Sequence, residues 1–199
     1  MKIIGITGPT GAGKTTALRV LEQLGGSIID CDAVYHQLLQ TNLGLQRELQ
    51  ERFGSLTDGQ GRFDRKKLGG IVFCDPAALD DLNAIVWPYI GRMVDEQLEQ
   101  ARLNGRRAAA VDGITLIESG LAARCDTTVA VIAPEEERVR RICLREGISE
   151  EYARARVAAQ KTEDWFGANC EHTLLNDCGQ TEEFVLRARK LFEQLLNQK

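Results

Sequence analysis

The segment GPTGAGKT, residues 8–15, is the part of the sequence whose residue types and spacing most clearly indicate chemistry. It fits the pattern GxxxxGK(S/T), in which a glycine-rich loop wraps around phosphate groups. Glycines at positions 8, 11 and 13 let backbone N–H groups point inward, and a helix that begins after the loop presents the positive end of its dipole to phosphate oxygens. Lys14 would reach the β- and γ-phosphates of a nucleoside triphosphate, and the Thr15 hydroxyl would bind Mg²⁺. A turn that only joins a strand to a helix is the alternative, and the Lys14-Thr15 pair in this context disfavours it.

Two carboxylates, those of Asp30 and Asp32, follow the second predicted strand. Ligands of an open parallel sheet bind beyond the carboxyl ends of its strands, so we expect both carboxylates beside the phosphate loop. An aspartate, with an ordinary pKa of about 3.9, is ionised at neutral pH and can accept a hydroxyl proton during phosphoryl transfer. Either residue could instead cap the helix that follows. The spacing alone does not choose between these roles.

A cluster of arginines lies in two predicted helices joined at Gly147. Its members are Arg138, Arg140, Arg141, Arg145, Arg154 and Arg156. Taken singly, each is typical of a solvated side chain paired with an acidic residue one helical turn away. Taken together, they suit a helical lid that neutralises charge on a γ-phosphate and excludes water.

The elements that must position these residues alternate between strand and helix. Strands are predicted at residues 2–7, 27–30, 108–111, 127–133 and 172–175. Helical periodicity fills residues 33–105, broken by a glycine-rich turn at 58–61. We expect the longest of these helices to begin near Pro88 and a helix to follow each strand. The helix that starts at Thr181 has an apolar face, and we expect it to pack on the sheet.

The composition sets the class of protein. The 199 residues predict about one domain, and the formal charge of −4 argues against a broad basic face for nucleic acid. No apolar run approaches the roughly 18–20 residues of a membrane span, and the N-terminus lacks a signal-peptide pattern, so we expect a cytoplasmic protein with no membrane partner. No two of the six cysteines have metal-ligand spacing, so we expect reduced, mostly buried thiols. The oligomeric state is not indicated.

Several segments, in this order, resemble the dephospho-CoA kinase family. They are the phosphate loop, residues 30–32, 61–65 leading to 71–73, 82–85, 116–118, 144–151, 158–160 and 176–179. The resemblance implies an α/β fold with a P-loop kinase-type parallel sheet flanked by helices, a helical acceptor-binding insertion and a helical lid. It implies a core of residues 1–32, 106–133 and 169–199, an acceptor-binding subdomain of 33–105 and a lid of 134–168, all within a single domain. It also implies ATP-dependent phosphorylation of the ribose 3′-hydroxyl of dephospho-CoA, with Mg²⁺, to give coenzyme A and ADP.

The same resemblance assigns roles to residues by motif position. Asp32 corresponds to the presumed catalytic base, Arg145 to a lid arginine near the phosphates, and Arg65 to a substrate-binding residue, with a solvated arginine at a helix start as the alternative. Lys14 joins Asp32 and Arg145 as a catalytic candidate. The implied ATP-binding residues are Gly11, Ala12, Gly13, Lys14, Thr15 and Thr16.

Two positions depart from the family pattern. Trp87 stands where the family usually has histidine before proline, and Ile114 where a proline is usual. Trp87 could stack on the base of the acceptor, although a tryptophan of the helical core is the preferred interpretation.

Other classes of protein share parts of the pattern. A kinase for a nucleoside or a shikimate-like acid is the closest alternative, because only the acceptor region distinguishes it. Residues 58–61 spell the DxxG of a GTPase switch, but they follow no predicted strand and we interpret them as a turn. His36 and His172 have no partners at metal-ligand or triad spacing and receive no chemical role.

Overall fold

The structure is a computed structural model that describes residues 1–177, 179 and 181–198. Its strands are β1 (Lys2–Thr7), β2 (Gly26–Asp30), β3 (Ala108–Asp112), β4 (Thr127–Ile132) and β5 (His172–Leu175). Its helices are α1 (Lys14–Gln23), α2 (Cys31–Thr41), α3 (Leu43–Phe53), α4 (Arg65–Val72), α5 (Pro76–Leu103), α6 (Glu135–Glu146), α7 (Glu150–Ala158), α8 (Glu163–Ala168) and α9 (Thr181–Asn197). A short 3₁₀ helix covers Leu121–Arg124.

The five strands form one sheet in the order β2-β3-β1-β4-β5. Strand β1 is central, and its pairs with β3 and β4 are parallel, as is the pair of β4 with β5. Every residue of β1 after Lys2 is buried, as expected of a parallel strand covered on both faces. The predicted fold class, a parallel sheet flanked by helices, is confirmed.

Helices α1 and α9 share one apolar core with the sheet. In this core, Phe184, Ala188 and Phe192 of α9 are almost completely buried together with Ile4 of β1 and Val131 of β4. The spacing of the three α9 residues places them on one helix face. The prediction that the last helix packs on the sheet is therefore confirmed.

Residues Asp30–Leu98 form a compact unit distinct from the unit of Met1–Ile29 and Glu99–Lys199. The Asp30–Leu98 unit contains α2, α3, α4 and most of α5, and its core includes the fully buried side chains of Leu45, Leu49 and Leu56. We call it the helical unit, and the other one the sheet unit.

The longest helix differs from its prediction. Pro88 does not lie in its first turn: α5 starts at Pro76 and continues through Pro88 for 28 residues in all. A proline in a helix interior removes one backbone hydrogen bond. The helix persists because an apolar stripe with a spacing of four residues is buried on both sides of the proline, at Leu82, Val86, Ile90 and Val94.

Two further expectations are wrong. Strand β3 is followed by turns and the short 3₁₀ helix, not by an α-helix, because residues 113–120 fold into consecutive turns whose backbone bonds lead directly into it. Of the five described cysteines, all reduced thiols, only Cys31 is buried, whereas Cys74 is exposed and the other three are partly exposed. Cys178, which belongs to the 176–179 segment, lies outside the described residues. No helix among the described residues is long and apolar enough to span a membrane.

Candidate active site

The phosphate loop joins the end of central strand β1 to α1, the context that its motif requires. Gly8, Gly11 and Gly13 all have φ in the left-handed region, at 135°, 83° and 107°. A Cβ at Gly8 would lie 2.0 Å from the carbonyl oxygen of Val131, so no larger side chain fits there. The conformation of the loop is therefore a direct consequence of its glycines.

The functional side chains of the motif lie at the start of α1. Lys14 Nζ donates a hydrogen bond of 2.8 Å to the carbonyl oxygen of Gly8, which bends the lysine back over the loop. Thr15 is exposed in the first turn, and its hydroxyl forms no hydrogen bond within the described part of the chain. The loop thus presents one cation and one available hydroxyl, the pair that a triphosphate and its Mg²⁺ require.

Thr10, near the middle of the loop, is held by two side chains from the predicted lid. Gln160 accepts a hydrogen bond of 3.0 Å from Thr10 N–H and donates one of 2.8 Å to Thr10 Oγ1. Arg138 Nε donates to the carbonyl oxygen of Thr10 at 3.0 Å, and Arg138 Nη2 donates to Gln160 Oε1 at 2.9 Å. Both backbone groups of Thr10 and its hydroxyl therefore have partners within residues 134–168, the predicted lid.

Arg138 is an unusual member of the arginine cluster because only 3% of it is exposed. Burial lowers the pKa of its guanidinium, and the nearby carboxylates of Glu163 and Glu135 act in the opposite direction. Glu163 lies 3.8 Å away, and burial raises the pKa of this carboxyl. A buried guanidinium needs such partners because leaving a buried charge uncompensated costs several kcal/mol, on the order of 3–5.

A second buried contact holds the next part of the loop. Asn176, which follows β5 and is 7% exposed, donates from Nδ2 to the carbonyl oxygen of Ala12 at 2.8 Å. Arg141 lies one turn after Arg138 and donates to Asn176 Oδ1 at 3.3 Å and to the carbonyl oxygen of Gly11 at 3.4 Å. At Gly11 and Ala12 the loop is thus bound through its carbonyl oxygens, whereas Thr10 N–H is bound to Gln160 and Ala12 N–H to the carbonyl oxygen of Pro9.

The remaining arginines of the cluster lie on the surface of the lid. Arg154 pairs with Glu136 at 2.7 Å and with Glu150 at 2.8 Å. Arg145 pairs with Glu146, which also binds Arg156. Within the described residues, Arg145 does not contact the phosphate loop. Arg138 and Arg141 therefore contact the loop, whereas Arg145, which follows Arg141 by one turn of the same helix, does not.

The two candidate carboxylates have different surroundings in the helical unit. Asp30 caps α2, and its side chain accepts hydrogen bonds from the backbone N–H groups of Asp32 and Ala33. Asp32 lies in the first turn of α2 with an exposed side chain. Its carboxylate forms no hydrogen bond or ion pair among residues 1–177, 179 and 181–198. The capping role belongs to Asp30, which leaves Asp32 available for chemistry.

The other two substrate candidates also lie in the helical unit. Arg65 is the first residue of α4, after the cap residue Asp64, and Arg65 Nη2 lies 3.3 Å from Nε2 of His36. Trp87 is partly buried in the middle of α5 and is not part of the buried core. Residues 58–61 form a turn in which Asp58 accepts bonds from the backbone N–H groups of Gln60 and Arg62, as the turn interpretation predicts. These bonds lower the pKa of the Asp58 carboxyl.

A family model described as Dephospho-CoA kinase matches residues 2–182. The chain belongs to this family. A dephospho-CoA kinase of Dehalococcoides mccartyi is 38% identical over 165 residues, which cover 82% of this chain and 83% of that protein. A protein of Thermus thermophilus with a solved structure is 34% identical with a TM-score of 0.83, covering 99% of this chain and 98% of its own. The solved dephospho-CoA kinase from Campylobacter jejuni is 25% identical with a TM-score of 0.71, covering 98% of both chains.

For this dephospho-CoA kinase family member, the sequence does not reveal which distant residues support the loop. Gln160 and Asn176 lie inside segments that resemble the family, but no spacing connects them with Thr10 and Ala12, which are 150 and 164 residues away. Asp112 is a further carboxylate that the motifs do not single out: it ends β3 and is in register with Ile6 of β1, two residues before the loop. The signal that could have revealed Asp112 is its position. It is a carboxylate at the end of a buried strand, and that strand neighbours the one that leads into the phosphate loop.

Proposed function

We propose that the protein transfers the γ-phosphoryl group of ATP to the ribose 3′-hydroxyl of dephospho-CoA, giving coenzyme A and ADP in the last step of coenzyme A synthesis. One observation carries the proposal: the family match over residues 2–182 includes the phosphate loop, over which Lys14 is bent by its hydrogen bond to the Gly8 carbonyl oxygen. The reaction class is phosphoryl transfer to an alcohol, in which positioning and electrostatic stabilisation supply most of the catalysis.

The nucleotide is bound by the sheet unit. The backbone N–H groups of Gly11, Ala12, Gly13, Lys14, Thr15 and Thr16 surround its phosphates. Lys14 leaves the Gly8 carbonyl to contact the β- and γ-phosphates, where its charge acts both on bound ATP and on the transition state. Arg141 and Arg145, on one face of α6, extend the positive charge from the loop along the lid.

The residues present fit a magnesium ion at the end of the loop. The exposed Thr15 hydroxyl would be one ligand, and the carboxylate of Asp112, at the end of the neighbouring strand, would be a second group near the ion. When bound with ATP, Mg²⁺ neutralises charge on the β- and γ-phosphates. Hard oxygen donors of this kind are those that Mg²⁺ prefers.

The acceptor is activated by Asp32. Its exposed carboxylate is free to accept the proton of the 3′-hydroxyl and to orient that oxygen toward the γ-phosphate. Asp30 fixes the first turn of α2 and so holds Asp32 in place. Arg65 and Trp87 are further acceptor-binding candidates.

The chain then divides by role into a nucleotide-binding core of residues 1–32, 106–133 and 169–199, an acceptor-binding part of 33–105 and a lid of 134–168. The protein acts in the cytoplasm on small molecules, without nucleic-acid or membrane partners. A lid that closes over both substrates limits hydrolysis of ATP by water.

The deciding experiment is release of ADP from ATP and Mg²⁺ with each of several acceptors. We expect turnover with dephospho-CoA and little with nucleosides or shikimate, the substrates of the alternative kinases. A phosphorus NMR spectrum of the product should show a new 3′-phosphomonoester. Absence of turnover with dephospho-CoA would overturn the proposal.

A further inference from the structure

Helix α6 lies directly against the phosphate loop, backbone to backbone. A Cβ at Gly11 would lie 2.9 Å from the carbonyl oxygen of Arg138 and 3.0 Å from its Cα. Such distances leave no room for a side chain, so position 11 requires glycine for close packing as well as for its positive φ. Because packed elements transmit strain, a shift of α6 would displace the loop.

The Arg138 guanidinium adds directional bonds at the same place. Its Nε donates to the carbonyl oxygen of Thr10 at 3.0 Å, and its Nη2 donates to Gln160, which also binds Thr10 N–H. Its Nη1 lies 3.8 Å from the carboxylate of Glu163, the first residue of α8. One side chain thus joins the loop to the start of α6 and to the segment that follows α7, which are the two ends of the proposed lid.

The stability of the fold does not by itself account for a cation at this position. Arg138 is the fourth residue of α6, close to the positive end of the helix dipole, which disfavours a cation. Its guanidinium is also buried, and burial lowers its pKa. Replacing a buried ion pair with apolar side chains of similar volume often leaves a protein equally stable or more stable. The bonds of Arg138 to the loop therefore indicate a role in positioning.

The face of α6 that contacts the loop also carries Arg145. Arg141 and Arg145 follow Arg138 by three and seven residues, so the three share one helix face. At 1.5 Å per residue, Arg145 lies about 10 Å further along the helix axis than Arg138. Helix α6 is a single helix of 12 residues without an internal proline. Fixing its start on the loop therefore fixes the distance from the loop to Arg145.

Arg145 can exchange its present partner for a phosphate. It pairs with Glu146 at 2.5 Å, and 58% of its side chain is exposed. Ion pairs between exposed side chains are weak, so this one costs little to break. Glu146 also binds Arg156 of α7 and keeps that cation when Arg145 turns away. The pairing of Arg145 thus holds no obstacle to a contact with phosphate.

We propose that Arg138 is a positioning residue for phosphoryl transfer. Its Nε bond to the Thr10 carbonyl oxygen holds the loop and α6 at a fixed separation, and Lys14 and Arg145 then meet the same γ-phosphate. This inference rests on the proposed function, which places both cations at the phosphates of ATP. Arg138 itself is 3% exposed and does not contact the substrate. Cations fixed in advance stabilise transition-state charge without the cost of reorganisation.

Two variants of equal side-chain length isolate the Nε bond. In Arg138→Gln, the amide Nε2 stands as many bonds from the backbone as the arginine Nε and can donate to Thr10, whereas Arg138→Met has a methyl group there. We expect Arg138→Met to lower kcat about tenfold or more, and Arg138→Gln to keep kcat within about threefold. Affinity for a non-hydrolysable ATP analogue with Mg²⁺, measured by calorimetry, should fall no more than about threefold in either, because Asn176 still binds the loop.

A further variant tests whether Arg138 acts through Arg145. Arg145→Met alone should lower kcat about tenfold or more. If the separation matters because of Arg145, adding Arg138→Met to this variant should lower kcat little further, whereas independent effects would multiply. Arg102→Met removes an exposed cation of α5 that pairs with Glu99, and it should change neither kcat nor ATP affinity.

The outcomes separate positioning from support of the fold and from the proposed function. Equal kcat in the Arg138→Met and Arg138→Gln variants would overturn the inference, as would effects of Arg138→Met and Arg145→Met that multiply. A loss of kcat in Arg138→Met that is matched by equal losses of ATP affinity and by a large drop in Tm would mean that Arg138 only supports the fold.

If the unmodified protein does not phosphorylate dephospho-CoA, the proposed function fails, and the link between loop and helix is measured without activity. Hydrogen–deuterium exchange of residues 8–13 and 135–142 should then be faster in Arg138→Met than in Arg138→Gln. Equal exchange in the two variants would overturn the inference as well.

Discussion

The phosphate loop and the proposed acceptor-binding region of the helical unit differ in how completely the protein satisfies its own polar groups. At the loop, Thr10, Gly11 and Ala12 are each bound by a side chain from a distant part of the chain, and the buried Arg138 is paired in turn. In the helical unit, Arg65 and Lys66 have no carboxylate partner among the described residues, and Phe73 is exposed. The first region is organised before a ligand arrives, whereas the second contains cations and an aromatic ring that the proposed acceptor would contact.

This difference fits the chemistry. Electrostatic stabilisation of a phosphoryl group depends on dipoles fixed in advance, because reorganising them during the reaction costs free energy. An acceptor site must admit and release a long, flexible molecule, so unpaired cations and an open aromatic surface are suited to it. Mutations at the loop should therefore affect kcat and stability, and a mutation of Arg65, a proposed acceptor-binding residue, should affect acceptor affinity.

The largest expected effect is that of Asp32→Asn. It should lower kcat by about 10²–10⁴ with little change in ATP affinity, because the amide cannot accept the hydroxyl proton. Asp30→Asn is the matched control: asparagine also caps helices well, so kcat should be nearly unchanged. Steady-state kinetics with dephospho-CoA measure both. A kcat that falls in the Asp30 variant and not in the Asp32 variant would reverse the assignment.

The second-largest effect on the kinetics is expected for Lys14→Ala. Because the same cation contacts the phosphates in bound ATP and in the transition state, ATP affinity and kcat should fall together, with kcat/KM for ATP lower by about 10²–10³. Lys190→Ala, which removes an exposed cation of α9, should change neither. If ATP binds the Lys14 variant with undiminished affinity, the loop does not bind the phosphates as proposed.

A smaller effect is expected for Gln160→Leu, which tests whether the loop is organised in advance. This change leaves Thr10 N–H, Thr10 Oγ1 and Arg138 Nη2 without their partner, so the free energy of unfolding should fall by about 1–3 kcal/mol. KM for ATP should rise severalfold, whereas KM for dephospho-CoA should not. The surface change Gln194→Leu controls for the leucine itself. Chemical denaturation and kinetics measure the two effects, and an unchanged KM for ATP would mean that the contact serves stability alone.

The sequence predicts the part of the site that local physics determines. The glycines of the loop, the cap residues and the strand-loop-helix order follow from nearby residues, so the phosphate loop and the fold class could be predicted. Asp30 and Asp32 could not be separated, because an aspartate after a strand suits both a cap and a base, and only the hydrogen bonds to Asp30 decide.

Long-range packing explains what the sequence does not show. The arginine cluster looks uniform along α6 and α7, yet Arg138 is buried against Thr10 while Arg145 is on the surface, which depends on the tertiary position of the lid. The helix around Pro88 likewise depends on the burial of an apolar stripe that continues on both sides of the proline. A local rule at Pro88 predicts a helix start, and packing overrides it.

The smallest expected effect is that of Trp87→Phe, which tests whether Trp87 belongs to the acceptor-binding region. Trp87 is partly buried in α5 and lines neither of the cavities around Arg65, so it should contribute to packing and not to binding. The smaller ring should lower Tm by a few degrees, about the effect of 1 kcal/mol in a protein of this size, and leave KM for dephospho-CoA unchanged. Thermal unfolding and steady-state kinetics give the two values. A raised KM at unchanged Tm would mean that the adenine of the acceptor stacks on Trp87.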